Sequence, residues 1–344
     1  MTRILLTGAR GELGRLVAQR WADGEHPPEV VGLDRQRGPV PAGCTRLVHA
    51  DLATAPLEEL MADIDCVVHL AFVPGSVPDD DEGHRSVEAA ARLLDAAAKE
   101  QVSHIVIRSS AVVYGARPDN RVPLTEDTPL RPNNELAYAT HMAEVERLVA
   151  EWRDAHPSVT ATVLRPAVTV GSHDRSWLAE AMRTAAALRP KSEAPAAQFL
   201  HREDLAAAVV LAVRDRLDGV FNVAPDGWID GEEVLALAGV SPRLPLSERA
   251  ARRLTRAGRR LGITNVPDGL EPYLRHPWVV ANDRLRSAGW QPAHTNQQAF
   301  VEAHEGSSWT EMSPHKRQNL ALGVSGVMLA GAAAGVVAVL RRRR

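Results

Sequence analysis

The chain has 344 residues, 45% hydrophobic and 24% charged, with 40 Lys and Arg against 43 Asp and Glu and a formal net charge of -3. That length and apolar content supply one large core or two modest ones, which excludes a disordered tail, and the balanced charge gives no cationic excess for a nucleic-acid partner. Cys44 and Cys66 exclude a disulfide framework, and thirteen histidines without HExxH or CxxC spacing give no sign of a metal site.

Met1–Thr7 is too short and enters a Gly turn too soon for a signal peptide, so the expectation is a cytoplasmic domain. Short apolar runs predict strands at 3–7, 29–34, 46–50, 64–71, 103–109 and 159–165. Between them, apolar residues at helical spacing predict helices at 12–22, 55–62, 84–100, 135–155 and 174–188. This alternation predicts an α/β fold, a doubly wound parallel sheet with helices on both faces. Residues 1–190 form that domain, with a helix at 202–214 and a strand at 219–223 contributed from 198–224. Residues 191–302 read as a smaller, discontinuous substrate region, punctuated by proline from 241 to 292. The polar stretch 293–319 reads as a linker, with 303–319 as its last part before an apolar tail.

The sharpest motif is TGARGELG, Thr7 to Gly14, which follows a strand and opens a helix. Gly8 serves a tight turn, Gly11 lets backbone approach a pyrophosphate, and Gly14 lets the helix pack on its strand, the pattern of Rossmann-type dinucleotide binding. The N–H groups at the helix start, through Arg10, Glu12 and Leu13, face the phosphates. Asp34 ends the second strand 20 residues after Gly14, where a carboxylate accepts from the adenosine ribose hydroxyls. Asp34 favours NAD, while Arg10 and Arg35 leave NADP open because either pairs with a 2′-phosphate.

These residues resemble the extended short-chain dehydrogenase/reductases, the NAD-dependent epimerase/dehydratase group. In family order the matches are TGARGELG (7–14), Asp34, Asp51-Leu52, HLA (69–71), SSAVVYG (109–115), Tyr138, LRPA (164–167), FLHREDLA (199–206) and GVFNVA (219–224). The resemblance implies cofactor contacts from Asp51, Leu52, Leu70, Ala71, Ser109, Tyr138 and Pro166 as well as the turn. It implies that Tyr138 exchanges a proton with a substrate hydroxyl or carbonyl, that Ser110 hydrogen-bonds the same oxygen, and that hydride passes to or from nicotinamide. Each residue also has a structural reading: Ser110 as a strand-end cap, Tyr138 as a core-edge aromatic, Asp51 and Leu52 as a helix start, His69 as a core histidine.

Three departures bear on the chemistry. A phenol acts as a base near neutrality only when its pKa falls from about 10. The family places a lysine four residues after the tyrosine for this, and here Met142 stands there. His141 is the neighbouring alternative, read chiefly as a helix-surface residue. Ser86 and Val168 replace the family's asparagines, which puts the grip on a nucleotide sugar in doubt. Two function classes follow: an oxidoreductase, epimerase or dehydratase acting on a hydroxyl or ketone of a sugar, sterol-like or lipid-linked small molecule, or a catalytically weakened NAD(P)-binding sensor or scaffold.

Leu320–Leu340 carries no charge over 21 residues and is followed by Arg341–Arg344. As a helix of about 31 Å it spans a hydrocarbon core, so a C-terminal transmembrane anchor on a cytoplasmic domain is expected. Gly331 and Gly335 give the small-residue spacing of a helix-pairing face, compatible with a homodimer. The Arg-rich stretch 247–262 reads either as an amphipathic helix on an anionic surface or as the solvated face of a lid helix.

Overall fold

The computed structural model describes residues 2–71, 80–171, 178–179, 195–237 and 269–302. The predicted linker 303–319, the apolar tail 320–340, the basic stretch 247–262 and nearly all of the helix expected at 174–188 lie outside the described residues.

The strands are β1 (Arg3–Thr7), β2 (Glu29–Asp34), β3 (Arg46–His49), β4 (Cys66–His69), β5 (His104–Arg108), β6 (Thr160–Pro166), β7 (Val168–Val170), β8 (Phe199–His201) and β9 (Gly219–Val223). Seven of them form one parallel sheet in the order β3-β2-β1-β4-β5-β6-β9, and β7 pairs with β8 in a separate parallel ribbon. The helices of this layer are α1 (Glu12–Ala22), α2 (Leu57–Met61), α3 (Asp80–Lys99), α4 (Ala137–Ala155) and α5 (Arg202–Arg214), with a 3-10 turn at Ala111–Tyr114.

Side chains alternate across each strand, so the sheet sorts its apolar residues into two cores. Ile4, Leu6, Val68, Val106 and Leu164 face α1 and α5, packing against Val17, Ala18, Leu205 and Val209. Leu5, Val67, Ile105, Ile107 and Val163 face the other way, against Leu60 of α2, Leu93 of α3 and Val145 of α4. The strand order reverses between β1 and β4. In open sheets of this kind that reversal opens a crevice beyond the strands' carboxyl ends, where ligands bind.

The remaining described helices are α6 (Gly231–Leu237), α7 (Glu271–Arg275), α8 (Asp283–Ser287) and α9 (Asn296–Glu302). Residues 293–302 are no linker, contrary to the sequence reading. Ala299 and Phe300 enter the core, Phe300 meets Phe199 edge to face at 4.8 Å, and Asn296 Oδ1 accepts the Phe199 N–H at 3.0 Å. Asn296, although polar, is buried because its hydrogen bonds are satisfied there. No described helix is long and apolar enough to cross a membrane.

Candidate active site

The carboxyl ends of β1 and β4 meet at the Gly turn. Gly8 adopts φ +73°, and a Cβ there would lie 2.9 Å from the Ala71 nitrogen, so both its left-handed backbone and its close approach to the β4 exit require glycine. At Gly14 a Cβ would sit 2.2 Å from the Gly8 carbonyl oxygen. At Gly11, which is exposed, the nearest such contact among the described residues is the Gly8 carbonyl oxygen at 3.2 Å.

Thr7 Oγ1 shares a 2.7 Å hydrogen bond with His69 Nδ1 and accepts the Ala71 N–H at 3.4 Å. Leu70, buried, donates its N–H to the Thr7 carbonyl at 3.2 Å. His69 is buried, and desolvation together with the nearby Arg108 pushes its pKa down to about 4. It is a neutral histidine of the core, in keeping with the structural reading.

At the tip of β2, Asp34 accepts the Arg10 N–H on one carboxylate oxygen at 2.9 Å and the Gln36 N–H on the other at 2.8 Å. The carboxylate is thereby aimed from the tip of β2. Arg10 turns its guanidinium to the Pro39 carbonyl at 2.7 Å, and Arg35 is exposed. Asp51 is exposed and closes its own turn, Oδ1 accepting from Ala53 N–H at 2.9 Å. Arg92 of α3 straps this turn by donating to the Leu52 and Ala55 carbonyls.

Beyond β5, Ser110 caps the 3-10 turn, its Oγ accepting the Val112 N–H at 3.4 Å. That bond uses a lone pair and leaves the O–H able to donate. Tyr138, in the first turn of α4, packs at the edge of both cores. The 3-10 turn packs on α4, and Ser109 donates to Glu146 at 2.5 Å, which ties the serine loop to the tyrosine's helix. Pro166 ends β6 in register with Val223.

The departures have physical correlates. Met142 is 2% exposed and belongs to the apolar core with Val113 and Val145. Val168 is buried in the opposite core, and Ser86 is half-buried on α3. His141 is not on the helix surface as the sequence suggested. It is buried against α3, its ring edge-to-face with His84 at 4.8 Å, in a gap that exists because residue 83 is glycine.

Beneath the site lies a polar network that sequence reasoning missed. Arg165 of β6 donates to both carboxylate oxygens of Glu146, at 3.0 and 2.6 Å, and to the Tyr114 hydroxyl at 2.7 Å. The Tyr114 O–H donates to Asn222 of β9 at 2.8 Å. Burial pushes the Tyr114 pKa up to about 12, with Arg165 opposing, so Tyr114 is a neutral donor. Tyr114 and Arg165 stood inside quoted motifs, but no spacing marked Glu146 as their partner.

The NAD dependent epimerase/dehydratase family model matches residues 4–224, from β1 to just beyond β9. The chain belongs to that family. NAD is the family's cofactor, and the Gly cradle with Asp34 behind it fits one. An uncharacterised protein of Mycobacterium tuberculosis is 25% identical over 325 residues, covering 91% of this chain and 86% of the relative. A UDP-glucose 4-epimerase of Corynebacterium glutamicum is 26% identical over 334 residues, covering 87% and 94%. Among solved structures, the UDP-N-acetylglucosamine 4-epimerase of Bacillus cereus superposes with a TM-score of 0.64 at 19% identity, over 88% of this chain and 98% of that one. MoeE5 in complex with UDP-glucose and NAD gives 0.62 at 22%, over 88% and 97%. At these identities the structural likeness establishes the fold.

Proposed function

We propose that this family member uses NAD to act on the sugar of a nucleotide sugar, at a hydroxyl or ketone carbon, without the lysine that usually assists the tyrosine. The observation that carries the reading is a dinucleotide turn after β1 and, two strands along the same sheet, a serine loop after β5 tied to the tyrosine's helix by Ser109 and Glu146. The relatives named as UDP-sugar epimerases and the UDP-glucose complex of MoeE5 support the substrate class.

The N–H groups at the start of α1 would hold the pyrophosphate and Asp34 the adenosine ribose. When bound, NAD supplies a hydride acceptor and donor. Ser110 orients the reacting oxygen by donating to it, and Tyr138 takes or returns the proton at that oxygen. With Met142 in the apolar core, no ammonium assists the phenol from that position, so turnover is expected to be slow. Met142→Lys puts an ammonium in the apolar core and should lower the melting temperature, while the folded variant should turn over UDP-glucose or UDP-galactose roughly 10- to 1,000-fold faster, and Tyr138→Phe should abolish turnover. The assay is epimer formation by the purified chain with NAD. Unchanged turnover in Tyr138→Phe removes the catalytic assignment. NADH binding without turnover in the parent and the lysine variant favours the second reading, an NAD-binding sensor or scaffold, which the burial of Met142 supports.

The reading includes membrane attachment through Leu320–Leu340, supported by its charge-free length and the arginines that follow. The full chain should pellet with membranes and resist a high-salt wash, while a chain ending at 315 should stay in the supernatant. Full-length protein in the soluble fraction overturns the attachment.

A further inference from the structure

At the junction of β8 and α5 the fold gathers groups that no motif connects. His201 ends β8 and is 5% exposed, while His294 and Glu302 arrive from the last described stretch. The two imidazole rings stack with centroids 3.8 Å apart at 29°. His201 Nε2 lies 3.2 Å from Glu302 Oε2, and one ligand atom from each of the three residues falls within 4.8 Å of the others.

Two observations point to an ion. The buried His201 Nε2 makes no hydrogen bond among the described residues, although Glu302 is so near. The pair is misaligned for donation, yet its separation is close to the ligand–ligand edge of a tetrahedron with bonds near 2.0 Å, about 3.3 Å. Behind His294 stands Asp204, 2% exposed, with both oxygens 3.2 Å from Nδ1 and each also accepting a backbone N–H, from Ala293 and His294, at 3.0 Å. A carboxylate on Nδ1 fixes the proton there and leaves the Nε2 lone pair outward, the usual support of a metal-binding histidine.

We propose that His201, His294 and Glu302 bind a divalent transition-metal ion of the zinc class, with Asp204 orienting His294. Two imidazoles and one carboxylate are a zinc donor set, with water in the fourth position, whereas magnesium and calcium take oxygen ligands. Ligation asks two local changes. His201 Nδ1 now accepts the Glu203 N–H at 3.2 Å, so metal on Nε2 moves a proton to Nδ1 and releases that helix cap. The stacked rings must also part, since two imidazoles on one tetrahedral ion have centroids about 5 Å apart. His294 and Glu302, with side chains 29% and 39% exposed, have the room to move. The ion would pin α9 to β8 and α5, and metal affinity would add to the stability of the fold.

The test uses the full chain, stripped with chelator and titrated with zinc chloride by calorimetry and with cobalt chloride by visible absorption. The expected result is one ion per chain, a cobalt spectrum of tetrahedral type and a melting temperature that rises with zinc. Glu302→Gln and His294→Gln should each lose the ion and the zinc-dependent rise while keeping a cooperative melt in chelator. Absence of saturable zinc binding to the parent chain, or binding retained in both variants, overturns the site.

Discussion

Arg165→Met is expected to destabilise the fold by about 3–5 kcal/mol, because it leaves the buried Glu146 carboxylate without its cation. Arg165 and Glu146 are both nearly inaccessible, and the arginine also lies over the Tyr114 ring at 4.8 Å. Burial opposes the Arg165 charge most strongly of any one influence, but the hydrogen bonds and charge of Glu146, with Tyr114 adding to them, together hold the pKa above the usual arginine value. Glu146→Leu together with Arg165→Met should cost much less than the two single changes added, since the double variant removes both buried charges. Urea unfolding of the four proteins measures the cycle. A single-variant cost below about 1 kcal/mol would show that water reaches the pair and that it is no anchor for α4.

Gly11→Ala and Gly14→Ala should fail in different ways. At Gly14 the added methyl meets the Gly8 backbone at 2.2 Å, so the α1 start must move, and stability should fall by about 1–3 kcal/mol along with NADH affinity. At Gly11 the methyl projects where the pyrophosphate is expected, with 3.2 Å to its nearest protein atom. Stability should change little while NADH affinity falls by roughly 100-fold, about 2.7 kcal/mol. Fluorescence titration with NADH and NADPH, beside thermal melts, separates the two, and NADH should bind more tightly because Asp34 repels a 2′-phosphate. Parent-like NADH binding in Gly11→Ala would remove the turn from the cofactor site.

Much of the sheet was legible because buried parallel strands are nearly continuous apolar runs, as RILLT and EVVGLD show. The Gly8–Gly14 turn was legible because backbone geometry restricts its residue types. Reading failed where polarity was taken as exposure. His141 is buried because Gly83 withholds a side chain from α3, and Asn296 because its amide is satisfied. Pairings distant in sequence left no pattern: Glu146 with Arg165, or His201 with His294, depend on helices docking at a particular register. Ser110 and Tyr138 were named from their motif neighbours, but the burial of Met142 is a fact of packing that appears only in the fold.

Glu12 is the first residue of α1, an unexpected place for an anion if the amides beside it receive phosphates. Its ion pair with the largely buried Arg202 answers that charge within the protein. A pyrophosphate held there as proposed would therefore meet no net charge from this pair, and its partners would be the peptide N–H groups of the helix start. Helix-end attraction falls off within the first turn, so a pyrophosphate held here as proposed would be gripped at contact range rather than drawn in from a distance.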